Sequence, residues 1–597
     1  MARSLAPVVA SPLRRQRLVS LALLAVVVVF VVRLVSVQAV NAAELSELAL
    51  DTRLTTATVD SERADIVDRN GVVLAQSVQR YHVFVNQQTL AEWKRYDEGT
   101  LVAEGPIDAA RILAPLLGMS ESELAADLVG DKTFQYIAKY VTPEVWALID
   151  DEGISGIDRE PVSQRIYPNG AVAGNVIGFM GGRADEPGVF GLAGIELALE
   201  DTLEGEDGSI TYERGINSAG GTVIPTGILD EQAAKDGDTV VLTIDRDIQY
   251  MTQQLLDTAV ANTGSASGIV IVEDAKTGEI YALADSNSVD SSDPGATPAA
   301  DRGSKAVSNV FEPGSTAKII TMAAALEEGI AVPTSRYTVP YEYTTENNQT
   351  FKDSHEHADQ KMTLAGILVA SSNTGTVMVG QEIPQETRYE YLQRFGLGTS
   401  TDVGLPSESS GILRWWEDWD GRSKYAVLFG QAVSVTALQT AQVYQTVANG
   451  GVRVQPTVVA GYESPDGTYT PRETAEPVRV ISEDTADSLM RMLEDVTEDG
   501  TGTLARIEGY RVAGKTGTAQ SFAHDGTQNG VVASFVGVAP ADDPRIVVSV
   551  IMLNPSTSIW GGTVAAPVFR DVATFTLQSL GVPPSTGEAN PYPTSWE

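Results

Sequence analysis

Between Leu18 and Val32 the chain reads LVSLALLAVVVVFVV, and after Arg33 it stays apolar through Val40. A stretch of about 20 residues rising ~1.5 Å each spans a hydrocarbon core of ~30 Å, so this pattern predicts a single transmembrane helix over 18–40. Arg3, Arg14, Arg15 and Arg17 precede it, and the first acidic residue is Glu44. The positive-inside bias therefore expects a cytoplasmic tail over 1–17 and everything after about residue 41 outside. Arg33 stands near the outer end, where a long side chain can snorkel to the headgroups. A cleaved leader is the competing reading, because Val37-Gln38-Ala39 resembles a cleavage site; the apolar run is long for such a leader, which favours a retained anchor.

Beyond the anchor the pattern breaks into short elements. Residues 41–245 read as a mixed, strand-rich module without an obvious nucleophile. Ile66 to Leu74 reads as a hairpin in which Asn70-Gly71 supplies the positive φ of a tight turn, and a helix is expected around Ala109–Leu117, ending near Gly118. A boundary falls near residue 240: Val240–Ile244 is a strand, and Asp245 caps a helix running to about Ala261. In the second unit, 246–582, the runs Gly268–Glu273 and Glu279–Ala284 form a hairpin around Lys276-Thr277-Gly278. Residues 285–305 are rich in Ser, Asp, Pro, Gly and Ala and read as a surface loop. Strands at Arg511–Gln520, Val531–Val538 and Ile546–Leu553 are joined by short loops and should run antiparallel, with an amphipathic helix from about Val564 to Leu580 packed on them. The fold class expected is α/β (α+β), a mostly antiparallel sheet flanked by helices, with residues 583–597 a loose tail.

Composition narrows the function. A chain of 597 residues is too long for one ordinary domain. A formal charge of −38 argues against nucleic acid as a partner, since such binders concentrate Lys and Arg against phosphates. Cysteine is absent, which removes thiol catalysis, Cys-based zinc sites and disulfides. No motif calls for a metal or a cofactor.

The chemistry gathers in three short segments. Phe311-Glu312-Pro313-Gly314-Ser315-Thr316-Ala317-Lys318 opens a helix apolar nearly all round, so it should be buried. Ser315 and Lys318, three apart, share a face of that helix. Burial should lower the proton affinity of Lys318, letting it take the proton of Ser315, and the helix amino terminus favours negative charge beside the serine. Ser371-Ser372-Asn373 follows an apolar helical run and sits at a turn. There a hydroxyl can relay a proton and an amide can orient the lysine and hold a peptide. Lys515-Thr516-Gly517-Thr518 lies in a β-run whose alternation sends 516 and 518 to the face opposite 515 and 517. Gly517 permits close approach of a substrate, the Thr518 amide can donate to an oxyanion, and Lys515 adds charge suited to a carboxylate. Each segment alone is weak, as the second Lys-Thr-Gly at 276–278 shows; their order is the specific signal.

In that order the segments resemble those of the class B penicillin-binding proteins. Arg63–Ser77 (RADIVDRNGVVLAQS), Arg165-Ile166-Tyr167-Pro168, Gly191–Glu196 (GLAGIE), Phe429–Gln439, Ala448–Gly451 and Gly561–Pro567 extend the resemblance over most of residues 60–575. It implies a penicillin-binding/transpeptidase fold on a non-catalytic pedestal of the dimerisation type over 41–245. It also implies Ser315 as nucleophile, Lys318 as its base, Ser371 and Asn373 as the second motif, and Lys515, Thr516 and Gly517 as the third. The amides of Ser315 and Thr518 would form the oxyanion hole. The reaction implied attacks the penultimate D-Ala carbonyl of a peptidoglycan stem peptide, releases D-Ala, and passes the acyl group to a neighbouring amine; β-lactams would acylate the same serine. Phe-Glu-Pro-Gly before the serine and Lys-Thr-Gly-Thr look like the division (FtsI-like) branch, while elongation enzymes more often carry Pro-Pro-Gly and Lys-Ser-Gly. A FtsW-like SEDS glycosyltransferase and other divisome proteins are the implied partners, at the membrane and the division septum. One departure is Ser304, where the family usually carries Asn.

Rival readings are a β-lactamase or β-lactam sensor and an idle scaffold. Class A hydrolases need a Glu-x-x-Leu-Asn loop, and the Leu553-Asn554 of this chain has Val550 in the glutamate position. Asp353-Ser354-His355-Glu356-His357 reads as an exposed loop beside the cleft in preference to a metal site at the two histidines, and Trp415, Trp416 and Trp419 as core or cleft packing.

Overall fold

The computed structural model of the chain describes residues 12–40, 42–51, 53–184, 188–214, 224, 227, 229–522 and 528–597. Two units separate by contact, Met1–Glu62 with Gly205–Asp236, and Arg63–Glu204 with Gly237–Glu597.

In the first unit, the helix Pro12–Val35 continues as a π-turn over Ser36–Val40, with no described residue of the helix buried. The run Pro12–Ala39, of mean hydropathy 3.0, is long and apolar enough to cross a membrane. A three-stranded antiparallel ribbon completes the unit: Leu54–Val59 pairs with Gly208–Glu213, which pairs with Leu229–Gln232.

In the second unit, the hairpin at Asn70-Gly71 forms as expected. Ile66–Val67 pairs antiparallel with the start of Val73–Val85, the Asp68 carboxylate accepts the amides of Asn70 and Val72, and Gly71 takes φ +80°. The expected helix before Gly118 starts earlier, at Gly105, with Pro in its first turn. Strand Thr239–Leu242 lies between Ile66–Val67 and Val459–Glu463, so sheet pairing runs across the sequence boundary near residue 240.

Three of the quoted sequence segments meet in one buried ionic knot. Glu196, with no exposed surface, accepts from Arg63 Nη2 at 2.7 Å, Arg165 Nε at 2.7 Å and Tyr167 OH at 3.2 Å. Arg63 also holds Glu200 at 2.9 Å, and Arg165 Nη1 donates to the Ala64 carbonyl at 2.7 Å. The fork of arginine donors satisfies both carboxylate oxygens, which is the condition for burying such charges.

The half that carries the three short segments is built on a five-stranded sheet of β1 (Ser267–Asp274), β2 (Ile280–Asp285), β3 (Ala513–Phe522), β4 (Gln528–Ala539) and β5 (Ile546–Leu553). Its spatial order is β2-β1-β5-β4-β3, every pair antiparallel, which leaves β3 at an edge. Both faces are covered, so the strands read as continuous apolar runs in place of alternating ones. Ile269 and Ile271 enter one core, together with helices α2 (Lys318–Glu327) and α4 (Ala437–Ala448). Val270 and Val272 enter the other, with α1 (Arg246–Thr263) and α5 (Ala566–Ser579). Asp245 caps α1 by accepting the amides of Asp247 and Ile248.

Two expectations are corrected. The terminal residues are not a loose tail: Thr363 N donates to the Thr594 carbonyl at 3.1 Å, Thr363 Oγ1 to Pro593 O at 2.6 Å, and Trp596 Nε1 to Tyr337 O at 3.1 Å. Cation–π contacts of Trp596 with Lys361 and Tyr592 with Arg491 anchor a segment that composition alone marks as disordered. Likewise the 285–305 loop begins in the interior, with Asp285, Ser286, Val289 and Ser291 all buried. Of the tryptophans, Trp419 is buried while Trp415 stays half-exposed against Tyr389.

Candidate active site

Ser315 stands on a 3-10 turn, Gly314–Ala317, immediately before α2, and Lys318 is the first residue of that helix. Glycines let this turn sit against the edge strand. Gly314 takes φ +57°, and a Cβ there would come within 3.0 Å of the Thr518 carbonyl. A Cβ on Gly517 would lie 2.2 Å from Ser534 Oγ and 2.9 Å from Thr316 Cγ2. Behind the turn, the buried Tyr444 hydroxyl of α4 donates to the Thr316 carbonyl at 2.8 Å.

The second segment enters from the side. Ser372 caps α3 (Asn373–Gly380), its Oγ accepting the Gly375 amide at 2.9 Å. Ser371 just before it holds φ +56°, a left-handed conformation costing a non-glycine residue roughly 1–3 kcal/mol unless its surroundings fix it. They do so through two lysines. Lys318 Nζ donates to the Ser371 carbonyl at 2.5 Å and to its Oγ at 3.3 Å, and Lys515 Nζ donates to the same Oγ at 2.9 Å. Among the described residues no hydrogen bond joins Lys318 to Ser315 itself; Ser371 is the group that both amines share. Asn373 Nδ2 donates to the Lys352 carbonyl at 3.1 Å.

Both lysines have no exposed surface. Burial pushes the Lys318 amine down to about 7, against the opposing pull of Asp353. Burial, and then the neighbouring Lys318, push Lys515 well below the ordinary lysine range. This corrects the expectation that Lys515 presents its charge to a carboxylate. Its side chain lies on the inner face of β3 and is held by Ser371 and the Thr516 carbonyl. Thr516, Thr518 and Gln520, on the outer face, line the cleft.

The cleft has a volume of about 890 Å³ and collects Ser315, Ser371, Asn373, Thr516 and Thr518 from three separate stretches of chain. Sequence reading missed several of its walls. Thr501 joins Thr516 through their hydroxyls at 2.7 Å, and His355 stacks on Trp560 with ring centroids 5.2 Å apart. Lys352 and Arg422 reach in from the side. No aspartate or glutamate is among the described residues lining it, although the chain carries −38 overall. Field and donors therefore favour an anionic ligand. Asp353, next to the histidine loop, had no signal beyond being an acid near two histidines. A serine-bearing turn, two buried amines meeting on a second serine and a donor-rich edge strand bring together the groups that acyl transfer through a serine requires.

Comparison with known proteins gives the same class. Residues 58–242 match the penicillin-binding protein dimerisation domain and residues 268–574 the penicillin binding protein transpeptidase domain. The chain is 38% identical over 557 residues, 89% of its length and 84% of the relative's, to penicillin-binding protein PbpB of Mycolicibacterium smegmatis. It is 30% identical to peptidoglycan D,D-transpeptidase FtsI of Escherichia coli, covering 90% and 88% of the two chains. The crystal structure of penicillin binding protein 3 from Mycobacterium tuberculosis complexed with ampicillin superposes with a TM-score of 0.69 at 30% identity, over 91% of this chain and 100% of that one. The chain belongs to the class B penicillin-binding proteins, the peptidoglycan D,D-transpeptidases.

Proposed function

We propose that this chain is the division-type transpeptidase of its cell, working through an acyl-enzyme on Ser315. The observation that carries the mechanism is the Ser371 hydroxyl, which accepts from both buried amines. In the neutral form that its depressed pKa allows, Lys318 takes the Ser315 proton as the serine oxygen attacks the penultimate D-Ala carbonyl of a stem peptide. The amides of Ser315 and Thr518 receive the oxyanion. Ser371, bridging the lysines, returns the proton to the D-Ala amine as it leaves. A neighbouring strand's amine then attacks the ester, its proton travels the same route, and Ser315 is released. Asn373, Thr516 and Gly517 hold the peptide, and a cleft with no acid among its described lining residues suits its carboxylates. β-Lactams mimic the donor and acylate the same oxygen. Val550, where a class A hydrolase would need its glutamate, is fully buried in β5, which supports slow deacylation.

On this reading the amino terminus is cytoplasmic and the cleft lies outside the membrane, at the septum, with a FtsW-like SEDS glycosyltransferase and divisome proteins as partners; Arg14, Arg15 and Arg17 before the apolar run support that orientation. Full-length chain in detergent, given uncross-linked glycan strands, should release D-Ala and yield peptide-linked dimers by mass spectrometry. The rate should climb with pH through about 7, because Lys318 must be unprotonated to act. Dimers absent while tetrapeptides accumulate would turn the reading to hydrolysis. For the division role, depletion in cells should produce filaments without septa; swollen, round cells would assign the chain to elongation.

A further inference from the structure

The second motif is held in place from a segment that carries none of the three motifs. Asp353 follows the short strand Thr350–Lys352, and its carboxyl faces the start of α3. Its Oδ1 accepts the amides of Asn373 at 2.5 Å and Thr374 at 3.0 Å. Its Oδ2 accepts from Ser372 Oγ at 2.7 Å, from His357 Nε2 at 3.0 Å and from Thr374 Oγ1 at 3.3 Å. Those amides are among the orphan donors of the helix, so the carboxylate completes a cap that Ser372 alone leaves unfinished.

The partner histidine is charged in this arrangement. His357 Nδ1 lies 2.7 Å from the Ala358 carbonyl and Nε2 lies 3.0 Å from the Asp353 carboxylate. Both partners only accept, and a neutral imidazole has a single N–H, so the two bonds together require the imidazolium. Asp353 and Asp359 supply negative charge around it, and Tyr341 meets the ring edge-on at 6.0 Å. Partial burial works against the charge, yet the bonds to Ala358 and Asp353 leave the histidine's pKa above its ordinary value.

We propose that Asp353 and His357 form a positioning pair for the second motif. The carboxylate, kept in place by the imidazolium, fixes Ser372 and Asn373 and so holds Ser371 in the left-handed conformation in which its oxygens meet Lys318 and Lys515. This rests on the reading of the cleft as a serine acyl-transfer centre. Asp353 has a second effect through space. Its charge favours the ammonium form of Lys318, against burial.

The test is the second-order rate of acylation of full-length chain in detergent by fluorescent penicillin, taken from acidic to alkaline pH, with thermal unfolding in parallel. Asp353→Asn keeps an oxygen for the two amides and removes the charge. It should slow acylation by roughly 10- to 100-fold and move the acidic limb to lower pH, since Lys318 loses a negative neighbour. His357→Gln keeps a donor to Asp353 without the charge. It should be several-fold slower than wild type on the acidic side and indistinguishable on the alkaline side, where the wild-type imidazole is itself neutral. A role confined to folding would slow each variant equally at every pH, and that outcome overturns the proposal, as does Asp353→Asn with wild-type rate and profile. Should Asp353→Asn fail to fold, the pH dependence of His357→Gln decides alone. A well-folded wild type that forms no adduct would sink the acyl-transfer reading beneath it, a result distinct from a normal wild type with insensitive variants.

Discussion

Full-length Ser315→Ala, incubated with fluorescent penicillin, should form no covalent adduct while unfolding at the wild-type temperature. The substitution removes one oxygen from a cleft wall, and the turn that carries it is fixed by contacts that do not involve that atom. Gly314 N donates to the Gly430 carbonyl, Tyr444 holds the Thr316 carbonyl, and Thr316 Oγ1 donates to Pro313 O at 2.8 Å. Lys318→Met makes the companion case. It keeps an unbranched side chain of similar bulk in a fully buried position and removes the amine, so acylation should fall by about 10²–10⁴-fold, the usual worth of a positioned base. An adduct on Ser315→Ala, seen by mass spectrometry of the labelled peptide, would move the nucleophile elsewhere in the cleft, with Ser371 the first alternative.

The largest loss of stability is expected at Glu196→Ala. Its carboxylate is fully buried between Arg63 and Arg165, whose side chains are only 11% and 6% exposed. Removing it leaves Arg165 Nε without an acceptor in the interior and Arg63 with Glu200 as its remaining carboxylate. Breaking a buried pair from one side costs about 3–5 kcal/mol, because the surviving charge loses its carboxylate without gaining water. For a unit of this size, whose unfolding entropy near Tm is on the order of 1 kcal/mol/K, that corresponds to a fall in Tm of about 3–5 °C. Glu498→Ala is the control: its pair with Arg506 is roughly half exposed on both sides, and its loss should change stability by less than about 0.5 kcal/mol. Equal shifts in the two variants by differential scanning fluorimetry would mean that the knot is ornamental.

Much of the site was legible because its chemistry is local in the chain. Ser315 and Lys318 lie three residues apart, and the apolar run after them could only be a buried helix, so the depressed lysine followed from burial alone. Asn-Gly at 70–71, Asp245 before its helix and the apolar strands at 269–272 and 546–552 likewise carry their structure in nearest-neighbour stereochemistry and burial. What the chain order did not disclose is how segments far apart in sequence share one atom. Lys515 reads as a charge offered to substrate; only the packing of β3 against the serine turn shows it turned inward to Ser371, 144 residues away. Asp353 carries no motif, and its role depends on a short loop returning beside α3. Trp596 looks like the end of a polar tail until its ring meets Lys361. The sequence by itself determined the helix long and apolar enough to cross a membrane, the placing of Ser315 and Lys318 at one buried helix start and the antiparallel strands, since helix periodicity, burial and turn chemistry act over a few residues. The tertiary structure decided the sharing of Ser371, the gathering of Lys352 and Arg422 at the cleft and the seating of the terminus, because hydrogen bonding and charge compensation in an interior depend on which distant groups packing brings within about 3 Å.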